Sequence, residues 1–277
     1  MPELPEVETI ARQLRPQLQS RLFRTVEVFW ARTVDRPDVP SFRDTLTGAR
    51  VLDVARRGKF VTLALDTGQT LLVHLRMTGQ LRILPREANP SDDVYVRVCF
   101  GMDHGPWLVF SDMRKFGRMY LVDDPSEVVG GLGPEPLMAD FTPERLAQLL
   151  TRRKGRIKPL LLDQRFVAGL GNIYTDEALW RARVHPLQKA ETLTPDQILR
   201  LHAGIVSILR EAIEGCGTSL RDYQYRQPDG AMGEFQVLLA VYGRAGEDCP
   251  RCGAPIERLK LGQRGTHFCP RCQVLPG

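Results

Sequence analysis

Four cysteines constrain this chain more than any other feature. Cys249, Cys252, Cys269 and Cys272 stand as C-x2-C, sixteen residues, C-x2-C within CPRCGAPIERLKLGQRGTHFCPRCQ. Each pair spans one tight turn, and two such turns facing each other bring four thiolates to the corners of a tetrahedron, the geometry zinc accepts. Four thiolates also close the coordination sphere, so the predicted ion is structural and leaves no position for a catalytic water. Two disulfides are the alternative, which a reducing compartment disfavours. Such a compartment is read from the N-terminus. Glu3, Glu6 and Glu8 precede Arg12 and Arg15, the reverse of a secretory leader's charge order, and no apolar stretch follows. The longest clean apolar run, residues 237–242, is six residues against the roughly 20 needed to span a bilayer. A cytoplasmic protein without a membrane segment is expected. Cys99 and Cys216 are isolated and read as small buried hydrophobes.

The rest of the 277 residues divides by pattern. Residues 23–122 read as short strands separated by turns, at 26–30, 59–65, 70–75, 94–100 and 107–110, which suggests a β-sandwich. VTLALDTGQTLLVHL is a hairpin pattern, two apolar alternations around Asp66, Thr67 and Gly68. After Gly133 the character turns helical. Thr142-Pro143 marks one start, with Leu146, Leu149 and Leu150 on one face. Thr194-Pro195-Asp196-Gln197 is a capping box ahead of Ile198, Leu201, Ile205, Ile208, Leu209 and Ile213, a helix predicted to end before Gly215. The chain is therefore expected to be α+β. It would have a sandwich led by one helix over 1–133, a helical domain over 134–235, and a four-cysteine finger over 236–277.

Net charge is +5, from 38 basic and 33 acidic residues, which permits a polyanionic partner without proving one. Its distribution says more, because RRKGRIKPLLLDQR at 152–165 carries six Lys or Arg against one Asp. Nearby, VAGLGNIYTDEALW places a Gly169-Leu170-Gly171 turn before Asn172, read as a loop delivering an N-cap. Alone, that is an ordinary helix corner. With Lys158 one short helix away, two helices straddling a phosphate backbone become plausible.

The N-terminus reads MPELPEVET. Removal of Met1 would leave Pro2 with a secondary amine of pKa roughly 8, appreciably neutral at pH 7 and able to form an iminium with an aldehydic carbon. Glu3 is adjacent and suited to proton transfer. The plainer reading is a helix start, with Pro5 opening the helix and Glu6 and Glu8 near its positive end.

PELPEVET, Lys59 in RRGKF, HLRMTG at 74–79, SDMRKFGR at 111–118, AGLGNIYTDEALW at 168–180 and the GQR of the finger occur in this order. Together they strongly resemble the bacterial formamidopyrimidine-DNA glycosylase family, whose members repair 8-oxoguanine and carry AP lyase activity. The resemblance covers essentially the whole chain. It implies that Pro2 attacks C1′ of the damaged nucleotide and holds the sugar as a Schiff base, with Glu3 managing protons, Glu6 organising the site and Lys59 assisting on the lesion-side backbone. It implies a helix-two-turn-helix element in the helical domain. It also implies that Phe116 wedges between bases, that Arg114 faces the orphaned cytosine and that Met77 fills the hole. Lys158 and Asn172 would hold phosphates, as would Arg264 at the finger hairpin tip. The implied partner is double-stranded DNA with oxidised bases or abasic sites, bound by a monomer, with one zinc and no cofactor in the chemistry.

One departure is Arg76, where the family strand motif has glycine. Residues 219–235 correspond to the family's loop over the flipped base. Two rivals differ in chemistry. Endonuclease VIII shares the Pro-Glu start but takes oxidised pyrimidines; Leu4, Met77 and the RKF of 114–116 favour the purine enzyme. A zinc-finger DNA binder without activity is disfavoured by the joint presence of Pro2, Glu3 and Lys59.

Overall fold

Apolar alternation from Phe23 onward builds two sheets in the computed structural model, which describes residues 1–151, 153–220 and 225–276. Helix α1 (Leu4–Leu18) leads. It is followed by β1 (Phe23–Val28), β2 (Val34–Arg36), α2 (Val39–Leu46), β3 (Val51–Arg57), β4 (Phe60–Leu65), β5 (Thr70–His74), β6 (Gly79–Leu84), β7 (Val96–Met102), β8 (Trp107–Asp112), β9 (Arg118–Val122) and α3 (Ser126–Val129). One sheet runs β1-β7-β8-β6 and the other β2-β9-β5-β4-β3. All neighbours are antiparallel except β2, which runs parallel to β9. Apolar residues of both sheets and of α1 fill one core, including Leu14, Phe23, Leu63, Phe100 and Phe110, all fully buried.

The hairpin expected around Asp66-Thr67-Gly68 is present as β4–β5. Strands β2, β3, β6 and β9 were not among those expected; in β3, Asp53, Arg56 and Arg57 interrupt the apolar pattern of VLDVARR. The strand expected from Lys59 begins at Phe60, because Gly58 takes φ +56° and Gly58-Lys59 forms the β3–β4 turn.

Two chain crossings between the sheets lie side by side. Residues 75–78 carry β5 into β6, and 113–117 carry β8 into β9. On one side of these crossings His74 pairs with Arg118, and on the other Gly79 pairs with Asp112. Sheet register thus sets the two loops against each other.

By contact density the chain groups into Met1–Gly131 with Gly215–Gln236, and Leu132–Glu214 with Val237–Gly277. Residues expected in one helical stretch, 134–235, are therefore shared between the groups. The return of 215–236 has a local cause, since Glu6 accepts the Thr218 N–H at 2.8 Å and Gln13 donates to Gln227.

In the second unit, Thr142 caps α4 (Pro143–Leu150) by accepting the Arg145 N–H at 3.2 Å. After α5 (Ile157–Leu162) the chain makes two turns through 163–171 and enters α6 (Asn172–Ala182). This is the expected helix-two-turn-helix. The Thr194 capping box is present ahead of α7 (Pro195–Glu214): Thr194 Oγ1 accepts from Gln197 N at 3.2 Å, and Gln197 Oε1 accepts from Thr194 N at 3.0 Å. The finger contributes β10 (Glu257–Leu261) and β11 (Arg264–Phe268). Among the described residues, no helix is long and apolar enough to cross a membrane.

Gln164 fastens the two turns. Its amide donates to Leu162 O and Leu170 O at 3.1 and 2.8 Å and accepts the Gly169 N–H at 3.0 Å, where Gly169 takes φ +89°. Gln164→Ala should lower the unfolding free energy by about 1–3 kcal/mol, the scale of buried polar groups left without partners. Denaturant titration checks this, and an unchanged midpoint would show that the turns hold without it.

Candidate functional site

The first unit places its chemistry-bearing residues at the start of α1 and on the hairpins beside it. Pro2, Glu3, Glu6 and Lys59 are all buried. Glu3 is the N-cap of α1 and forms a capping box with Glu6. The Glu3 carboxylate accepts from the Glu6 N–H, and Glu6 Oε2 accepts the Glu3 N–H at 2.7 Å. The other oxygen of Glu6 takes the Thr218 N–H. A close approach makes this possible: Gly217 takes φ +80°, and a Cβ there would lie 2.9 Å from Glu6 Cγ and Oε1. Glu6 therefore organises by holding backbone, on one side the residue after Pro2 and on the other the base of the 216–233 segment. Of the loop expected over the base, 221–224 lie outside the described residues.

Lys59 sits at the β3–β4 turn, next to Phe60, which pairs with His74. No role was read for His74 in HLRMTG, and only the β4–β5 register reveals its position. Arg76 N donates to its Nδ1 at 3.0 Å. Burial, followed by the positive charges of Arg76 and Lys59, pushes the imidazole from 6.5 down to about 3, so it is neutral beside two cations. Arg76 itself takes φ +55°, in the left-handed region where glycine is unstrained, which accounts for a glycine being acceptable there; its side chain is exposed.

The neighbouring crossings bring Met77, Arg114 and Phe116 together. Arg114 Nη1 lies 3.2 Å from Met77 Sδ, and its guanidinium sits 4.7 Å from the Phe116 ring centre. Phe116 is 44% exposed.

In the second unit the finger hairpin ends in Gly262-Gln263, with φ +53° and +63°, the two-residue turn with both central residues left-handed. Arg264 follows, exposed at the tip. Asn172 is the first residue of α6; the N-cap expected there is Gly171 instead. The Asn172 amide donates to Gly265 O at 3.0 Å. Lys158, expected to hold a phosphate, is fully buried. Its ammonium lies 2.6 Å from Asp176 Oδ1 and donates to Thr266 Oγ1 and Gly265 O at 2.8 and 3.1 Å. These bonds correct the expectation: Lys158 lies between Ile157 and Leu161 on the buried face of α5, and its donors serve the hairpin. Arg152 of the same basic run lies outside the described residues.

The four cysteine Sγ atoms lie within 4.8 Å of one another. Burial and the neighbouring thiols push Cys272 up to about 12, whereas at Cys249 burial is outweighed by N–H donors from Trp180, Arg251 and Cys252, bringing it down to about 6. Four thiols this close cannot all ionise without a cation among them, and tetrahedral sulfur is zinc's donor set, so the residues fit one structural zinc. Two further residues anchor this region and were not anticipated. Gln273 accepts the Cys269 N–H and donates to Val184 O, both at 2.9 Å. Glu177 accepts the N–H groups of Ala240, Val241 and Tyr242 at 2.8–2.9 Å.

A helix-two-turn-helix beside a four-cysteine hairpin, with a Pro-Glu start on a β-sandwich, defines a class of DNA-processing protein. The chain matches the family models for the formamidopyrimidine-DNA glycosylase N-terminal domain over residues 1–119, its H2TH domain over 132–224, and a zinc finger found in FPG and IleRS over 246–274. It is 47% identical to a formamidopyrimidine-DNA glycosylase of Chloroflexus aurantiacus, covering 99% of this chain and 98% of that one, and 48% identical to that of Chloroflexus aggregans, covering 99% of each. A Lactococcus lactis FPG variant bound to DNA containing Fapy-dG superposes with a TM-score of 0.91 at 36% identity, over 99% of this chain and 100% of that one. The chain belongs to the formamidopyrimidine-DNA glycosylase family.

Two outcomes follow. Below pH 6.5 the unfolded chain binds a proton at His74 that the folded chain takes up only near pH 3, so this residue makes stability fall as pH drops through that window. His74→Gln should flatten the fall in melting temperature between pH 6.5 and 4; parallel curves would remove burial as the cause. Chelation of zinc, or Cys269→Ser, should abolish DNA binding while the sandwich keeps its β-sheet circular dichroism. Full DNA affinity in a metal-free sample would refute the structural role.

Proposed function

We infer that this protein is a DNA glycosylase and AP lyase that removes oxidised purines, 8-oxoguanine and formamidopyrimidines, from double-stranded DNA. Pro2 is the nucleophile once Met1 is removed. The observation that carries this reading is the buried Pro2-Glu3 start, held by the Glu3–Glu6 capping box at the first turn of α1. The freed secondary amine, with an ordinary pKa of roughly 8, is in part neutral at pH 7 and so nucleophilic.

The chemistry is acyl-free substitution followed by elimination. The Pro2 nitrogen bonds to C1′ as the C1′–base bond breaks; the base leaves with that bond's electron pair, and the proton shed by the Pro2 nitrogen ends on the departing base. Glu3 handles protons at the sugar as the adduct opens to an iminium. Loss of a C2′ proton expels the 3′ phosphate, and a second elimination expels the 5′ phosphate, leaving a one-nucleotide gap. Lys59 supplies an ammonium toward the lesion-side backbone, beside a neutral His74 that adds no competing charge. Met77, Arg114 and Phe116 fill the space vacated by the extruded nucleotide, which limits an unstacking cost of a few kcal/mol. From the second unit, Arg264 makes bidentate phosphate contacts and Asn172 a further one. Lys158 supports the hairpin that carries Arg264. Zinc supplies rigidity to the finger and no chemistry. The protein acts as a monomer in the bacterial cytoplasm.

Borohydride trapping on an 8-oxoguanine:C duplex, with N-terminal peptide mass analysis, tests this. A covalent adduct on Pro2, lost in Pro2→Gly, is the expected result. An adduct formed only on a thymine glycol duplex would move the substrate to oxidised pyrimidines, and no adduct on either would overturn the reading.

A further inference from the structure

We propose that Asp112 is the positioning residue that locks Met77, Arg114 and Phe116 into one preassembled wedge. The inference rests on the proposed insertion of those three side chains into DNA, and it concerns a group that acts through them.

Asp112 ends β8 directly opposite Gly79, the first residue of β6, so it stands where the two crossings meet. It is 1% exposed. Its backbone is fixed from β7 and the segment before it: its N–H donates to Tyr95 O at 2.8 Å, and its carbonyl accepts Arg97 Nε at 2.9 Å. Its carboxylate is shared between both crossings. Oδ2 accepts the Gly117 N–H at 2.7 Å, while Oδ1 accepts the Arg114 N–H at 3.1 Å and the Thr78 hydroxyl. Thr78 Oγ1 in turn lies 3.1 Å from the same Arg114 N–H. One carboxylate therefore closes both ends of the turn bearing Arg114 and Phe116 and ties it to the loop bearing Met77.

The surroundings are fitted to this arrangement. A Cβ on Gly117 would lie 2.3 Å from Phe110 Cζ and 3.2 Å from Asp112 Oδ2, so only glycine lets its N–H reach the carboxylate. Lys115 takes φ +60°, and its ammonium rests 3.9 Å from the centre of the Trp30 ring, fastening the turn from behind. Arg114 and Phe116 are left exposed, with Arg114 in contact with Phe116 on one side and with Met77 on the other. Side chains already ordered in mutual contact lose less freedom on entering a base stack, and small misplacements of such groups are costly.

Asp112→Asn keeps the shape but turns one acceptor into a donor facing an N–H or a hydroxyl. The test compares excision of 8-oxoguanine from a duplex with strand cleavage at a preformed abasic site in a single-stranded oligonucleotide, which has no stack to fill. A 2-aminopurine next to the lesion reports insertion by its fluorescence. Duplex excision should fall about tenfold to a hundredfold and the fluorescence rise should vanish, with single-strand cleavage held within about twofold. Thr78→Val should move the same way and Thr78→Ser should not; this pair decides the matter if Asp112→Asn does not fold. Equal loss on both substrates, or no loss on either, would overturn the proposal. A parent protein that does not excise 8-oxoguanine would instead overturn the proposed function.

Discussion

A carboxylate taken out of water has to be given hydrogen-bond donors, and this constraint shapes the start of α1, the paired crossings and the segment at 240–242. Leaving such a group unmet costs more than the bonds return when made, so each buried acid dictates the backbone around it. Glu6 takes N–H groups from Glu3 and Thr218, and Asp112 takes them from Arg114 and Gly117. Glu177 takes three in a row from Ala240 to Tyr242, and Asp176 takes the His267 N–H at 2.9 Å along with the Lys158 ammonium. Glu6, Asp112 and Glu177 each fix irregular backbone that the sequence alone leaves free, and Asp176 ties strand β11 to α6. The catalytic start, the wedge and the finger hairpin are all held in this way. None depends on apolar packing alone, which is non-directional and cannot aim a side chain.

The two sheets supply what the carboxylates require, a frame with defined register. Because β5 pairs with β9 and β6 with β8, the crossings at 75–78 and 113–117 emerge as neighbours, and Asp112 meets Thr78 without any long-range search. The β4–β5 register likewise brings Lys59 beside His74. A charged imidazole there would repel the lysine. Burial, Arg76 and Lys59 all push His74 toward neutrality, so it adds no third positive charge beside them.

Local signals were legible in the sequence and long-range ones were not. The cysteine spacing, the Thr142 and Thr194 caps and the Asp66-Thr67-Gly68 hairpin are each written within a few residues, and each is found where expected. Strand β9 is set by pairing with β5 more than forty positions away, while β3 pairs locally with β4 but carries Asp53, Arg56 and Arg57, which interrupt its apolar pattern. The return of 215–236 to the first unit is tied by bonds between residues more than two hundred positions apart, Glu6 with Thr218 and Gln13 with Gln227, for which no sequence window exists. His74, Gln273 and Glu177 went unassigned for the same reason: their roles are set by what folds against them.

Lys158 shows the same limit in the reading of charge. A run with six basic residues against one acid predicts an anion-binding face, yet charge content does not say which members of the run look outward. Lys158 follows Ile157 onto the buried side of α5, where three oxygens, from Asp176, Thr266 and Gly265, meet the three donors of a compact ammonium. A guanidinium, planar and broader, does not suit that convergent site. Scarce lysine is thus informative in a chain with so many arginines. Of six lysines, Lys59 and Lys158 are buried and Lys115 rests on Trp30, three positions where a point charge on a slim stem is wanted. Arg114 and Arg264, by contrast, are exposed, where a planar fork of donors can face outward.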